Sequence, residues 1–232
     1  MNEKITPQNI EDIVDNINVY LEKIRKMNND DKIKTINRLE QFVKQYFKNT
    51  NIDRSKLIQT SSYLIDTLYK NIINLPGFDI NTNGYFGIII NRIFFELSQK
   101  GVYIFYIIDN SLRDDKFVLL KILFKNAGFD MITPNNIAME NTFKNFYDTS
   151  PEFTNGQNLD YKTIENQIVE SIKNKRHIVY IEKDNSVNYL SNVIKLADEF
   201  QNKYVCIFRN TSIEDLSPAK VLIGSFGNIL DN

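Results

Sequence analysis

The run Val102-Tyr103-Ile104-Phe105-Tyr106-Ile107-Ile108, followed by Ser111-Leu112-Arg113-Asp114 and then Gly128-Phe129-Asp130-Met131-Ile132-Thr133, decides how this chain folds. Its first part is continuously apolar instead of alternating, the pattern of a strand covered on both faces. Ser111 with Asp114 has the form of a helix-capping sequence, and Phe117, Leu120, Lys121, Leu123 and Phe124 carry a helix to a glycine cap at Gly128. A strand, a helix and a second strand over 129–133, at this spacing, make one parallel crossover unit.

The same grammar returns downstream. A helix is expected over about Tyr161–Lys173, a strand over His177–Ile181, a helix over about Val187–Phe200 and a strand over Tyr204–Phe208, with Val221–Ile223 closing an edge. Two such units predict an α/β fold on a mostly parallel, doubly wound, Rossmann-like sheet, in preference to a sandwich or barrel. Immediately upstream, Phe86–Gln99 is apolar on nearly all sides and closes on Gly101, which predicts a buried helix leading into the first strand.

Further upstream the period is helical. Thr6 before Pro7 reads as an N-cap with proline at the first helical position, and Ile10, Ile13, Val14, Ile17, Leu21 and Ile24 predict a helix to about Met27. A second helix is expected from Asp30 or Asp31, with Ile33, Ile36, Leu39, Val43, Tyr46 and Phe47 on one face. A third is expected from Asp53 or Ser55, with Leu57, Ile58, Leu64, Ile65, Leu68, Ile72 and Ile73. The turn-rich residues Leu75-Pro76-Gly77 and Asn81-Thr82-Asn83-Gly84 mark the expected boundary between a three-helix segment, 1–75, and an α/β domain, 76–232.

Composition narrows the classes of function. The 28 basic and 29 acidic side chains nearly cancel and are interspersed, so they make no electrostatic footprint for nucleic acid or an anionic surface. The opening residues contain acids and no apolar core, and the greasiest stretch, Tyr85–Leu97, is broken by Gly87, Asn91, Arg92 and Glu96; neither a signal peptide nor a membrane span is expected. Cys206 is the single cysteine, which excludes an internal disulfide and a cysteine-only metal site; it fits a reducing, cytoplasmic setting, the one expected here, and also a small secreted protein without bridges. Asparagine is abundant throughout, so pairs such as Asn135-Asn136 follow from composition and not from a ligand.

In an open parallel sheet, ligands gather outside the carboxyl ends of the strands. Those ends hold Asp109, Asn110, Ser111, Asp114 and Asp115 after the first strand, and Glu182, Asp184, Asn185 and Ser186 after the third. Asp109, Asp114, Glu182 and Asp184 are the candidate catalytic carboxylates. Brought together they would hold magnesium for chemistry on phosphate esters, with Asp109 and Asp114 as first candidate metal ligands. Asn110, Ser111, Asn185 and Ser186 are the candidate binding groups beside them. The same residue types also cap helices and make turns, which is their commoner use. His177, at the start of a strand, is expected to have a surface or edge role, and Cys206 to be a buried small hydrophobe. No glycine-rich phosphate loop is present, and Gly224-Ser225-Phe226-Gly227 reads as a terminal turn.

One segment carries a family likeness. Asp115-Lys116-Phe117-Val118-Leu119-Leu120-Lys121-Ile122-Leu123 with Ala127-Gly128-Phe129-Asp130-Met131-Ile132-Thr133-Pro134, then Glu140 and Asn155-Gly156, resembles the YceG-like proteins of tellurium-resistance (Ter) gene clusters. The resemblance implies a stress-response accessory protein working within a biosynthetic module, with no catalytic residues to carry over. Taken together, the sequence predicts an accessory α/β module that binds a small ligand or a protein partner. The alternatives are a metal-dependent enzyme acting on phosphate esters, and a phage or viral structural or interaction protein.

Overall fold

The computed structural model of the chain describes residues 7–49, 54–74, 80–110, 114–134, 159–183, 188–211 and 220–221. They fall into two compact units, one made of Met1–Tyr103 with Leu119–Phe129, the other of Ile104–Val118 with Asp130–Asn232.

In the first unit the expected opening helix is two helices, α1 (Ile10–Asp15) and α2 (Ile17–Arg25). Thr6 lies outside the described residues, and the cap is Asn9, whose Oδ1 accepts the Asp12 N–H at 2.6 Å. The break falls at Asn16. There φ is −98° and ψ 11°, while the Asn16 N–H still donates to the Asp12 carbonyl at 3.1 Å and its side-chain amide donates to the same carbonyl at 3.0 Å and to the Asp12 carboxylate at 2.7 Å. The Thr60 hydroxyl donates to Glu11 and the Tyr63 hydroxyl to Asp15, tying α1 to α4 (Arg54–Asn74).

Helix α3 (Asn29–Asn49) starts on a reciprocal cap: Asn28 Oδ1 accepts the Asp31 N–H and its Nδ2 donates to the Asp31 carboxylate, both at 2.9 Å. It buries Ile36, Leu39, Val43 and Phe47, each contributing about 1.5–3 kcal/mol of hydrophobic stabilisation. Ile33, expected on this face, is 55% exposed instead. Helix α5 (Ile80–Gln99) begins earlier than expected and takes in Asn81-Thr82-Asn83-Gly84. Propensity there costs about 1 kcal/mol at the glycine, which the packing of Ile89, Ile90, Ile93, Phe94 and Leu97 outweighs. Residues 75–79 of the expected boundary lie outside the described residues. Gly87 is set by close approach, since a Cβ there would lie 2.7 Å from the Cβ of Asn126. Gly101 and Gly128 end α5 and α6 (Asp114–Asn126) at φ +73° and +83°, as the glycine caps predicted.

The second unit carries the sheet. Its strands are β1 (Tyr103–Asn110), β2 (Phe129–Ile132), β3 (His177–Lys183), β4 (Tyr204–Thr211) and β5 (Lys220–Val221), with β1 beginning and β2 beginning one residue inside the first unit. They are ordered β2-β3-β1-β4-β5. The first four are parallel, and β5 adds antiparallel to β4. This is the α/β fold the apolar run implied: Ile104 through Ile108 are all fully buried, as a central strand covered on both faces requires.

Helix α7 (Tyr161–Lys173) is capped by Asp160, whose carboxylate accepts the Thr163 N–H at 2.7 Å; that bond lowers the Asp160 pKa. Helix α8 (Leu190–Glu199) buries Val193, Ile194, Leu196 and Ala197. After α7 the chain turns through Lys175, the one non-glycine residue with positive φ (53°) among the described residues. A lysine pays a left-handed penalty of about 1 kcal/mol there, so Lys175→Gly is expected to stabilise the protein by about 0.5–1 kcal/mol in urea denaturation. A loss of stability would show that the side chain offsets this strain.

Candidate functional site

The chain leaves β1 toward the β2 edge and leaves β3 across β1 toward β4, so two neighbouring strands send their following segments in opposite directions. That is the condition for a crevice at their carboxyl ends. In the β1–β3 register Asp109 stands opposite Glu182 and Asn110 opposite Lys183. Register partners in a parallel pair project to the same face, so Asp109 and Glu182 share one side of the sheet.

Two of the four candidate carboxylates are therefore brought together. Asp114 opens α6, with its backbone in the first helical turn. Asn110 ends β1. Ser111, Asp184, Asn185 and Ser186 lie outside the described residues.

Glu182 is 6% exposed. Tyr180, two residues back and on the same face, donates its hydroxyl to Oε2, and the Tyr189 N–H donates to Oε1 at 3.2 Å. The second bond joins the end of β3 to the residue that caps α8. Burial pushes the Glu182 carboxyl above the usual range and the Asp109 charge pushes it further, against the lowering effect of the two donors. Burial, then the bond and charge of Glu182, push the Tyr180 phenol far up, so it stays a donor at any physiological pH.

Near the Tyr180–Glu182 pair lie two half-buried aromatic rings. Tyr161 and Tyr189 meet with centroids 5.6 Å apart at an interplanar angle of 50°, and the Tyr161 hydroxyl donates to the Asn192 carbonyl. Tyr161 opens α7 and Tyr189 precedes α8, so both rings lie where helix N-termini reach the carboxyl ends of the strands. Tyr180, Tyr161 and Tyr189 were not singled out by motif, although the period-2 spacing of Tyr180 and Glu182 on a strand would have paired them.

A buried cation lies on β4. Arg209 is 2% exposed, and its Nε donates to the Tyr106 hydroxyl at 2.9 Å. Tyr106 is three residues from Asp109 on the same strand, an odd spacing that puts the two on opposite faces of the sheet. The strand expected over Tyr204–Phe208 stops one residue short of Arg209, and β4 runs on to Thr211, which carries the guanidinium into the sheet.

His177 corrects an expectation. Instead of lying at the surface it is 5% exposed, because β3 is an interior strand, and its Nδ1 accepts the Ile104 N–H at 3.1 Å. Its role is to satisfy a backbone donor at the amino end of the sheet, away from the crevice. His177→Phe is expected to cost about 1–3 kcal/mol in chemical denaturation by orphaning that N–H, and unchanged stability would disprove the assignment. Cys206 is buried as expected, 1% exposed, with Sγ directed to the Ala197 carbonyl at 3.3 Å and its thiol pushed up to about 12 by burial and by Asp198.

Among the described residues no group of three or more His, Cys, Asp or Glu side chains is placed to hold a metal ion, and no helix is long and apolar enough to cross a membrane. Comparison with protein-family models, with curated proteins and with solved structures finds no match to this chain.

Proposed function

We propose that this chain is an accessory α/β binding module that takes a small polar ligand in the crevice at the carboxyl ends of β1 and β3. Glu182 carries the reading. A carboxyl group held almost out of water, with a like charge opposite it and its pKa raised, costs stability that an uncharged residue would not. Asp109, half-buried, places a second carboxylate at the end of the neighbouring strand, and the Tyr161 and Tyr189 rings offer an apolar wall. The ligand chemistry that suits this set is a hydrogen-bond donor or positive charge on a small organic frame.

The test is an amide-resolved NMR titration with small amines, sugars and nucleotides. Shifts centred on Asp109, Glu182 and Tyr189, lost in Asp109→Ala, are the expected result. Shifts absent for every probe at millimolar concentration would refute the crevice as a small-ligand site.

One observation favours a second reading, a metal-dependent enzyme acting on phosphate esters: the register that sets Asp109 opposite Glu182. Magnesium commonly uses one or two carboxylates with water. Against it, each Glu182 oxygen already accepts a protein hydrogen bond. If this reading holds, magnesium raises the melting temperature of the wild type and not of Asp109→Ala; equal behaviour of the two proteins rejects it.

The single cysteine supports a cytoplasmic location, and the Ter-type likeness supports a stress-response role. Isolation of the tagged protein from its host tests the accessory role directly. A chain that stays monomeric and alone at high concentration counts against a protein partner.

A further inference from the structure

We draw no further inference here: the strongest candidate, the exposed Ile88 and Phe95 on α5 beside the shallow groove lined by Glu40, Gly87, Asn91 and Asn126, carries nothing because no observation in the structure shows what covers it.

Discussion

Glu182→Gln is expected to raise the melting temperature at pH 8 and to leave it nearly unchanged at pH 4. The direction follows from linkage. In the folded protein the Glu182 carboxyl holds its proton more tightly than in the unfolded chain, because burial and Asp109 oppose its ionisation. Folding therefore favours proton uptake. The wild type loses stability as pH rises from the unfolded value, about 4.3, through the raised folded one, at about 1.4 kcal/mol for each unit of elevation. Glutamine does not titrate and keeps an acceptor for the Tyr189 N–H, so the advantage of the variant should open across that window. Glu182→Ala is different: it orphans the Tyr189 N–H and the buried Tyr180 hydroxyl together, at about 1–3 kcal/mol for each donor. Melting curves of the three proteins between pH 4 and pH 8 decide it. A glutamine variant less stable than wild type at pH 8 would mean that the carboxylate is net stabilising, and would remove the main support for a functional role.

The elements that could be read from the sequence are those whose pattern and packing agree. Ile104–Ile108 is apolar at every position, and the strand is fully buried. Gly101 and Gly128 follow apolar helices and adopt the left-handed conformation that glycine allows. The Asp109–Glu182 pairing was partly legible, since both residues end apolar runs. Strand order, which no local pattern encodes, is what sets them side by side. The misreadings have physical causes of the opposite kind. The first helix breaks at Asn16 through a local change of backbone angles that periodicity does not register, and Asn81–Gly84 becomes helical because the apolar residues after it recruit the preceding turn. His177 looked like an edge residue because strand position says nothing about burial until the neighbouring strands are known. Arg209 and Tyr106 meet across 103 positions, a contact no spacing rule anticipates.

The helical unit depends on the packing of one ring. Phe129 follows the left-handed Gly128, is 3% exposed, and meets Phe94 of α5 at 4.8 Å and Phe124 of α6 at 5.1 Å, with interplanar angles of 86° and 78°. Both are edge-to-face contacts, worth about 0.5–1.5 kcal/mol each beyond the area they bury. Phe129→Ala removes both and leaves a cavity between two helices whose backbones cannot close in, since Gly87 already brings α5 against Asn126. The expected cost is about 3–5 kcal/mol, a large share of the roughly 5–15 kcal/mol that holds a typical domain folded. Phe129→Leu, which refills much of the volume without the ring edges, should recover more than half of that loss. Urea denaturation followed by far-ultraviolet circular dichroism reads both variants. An alanine cost below about 1 kcal/mol would show that the site can collapse, and that α5 and α6 are not held apart as tightly as the Gly87 contact requires.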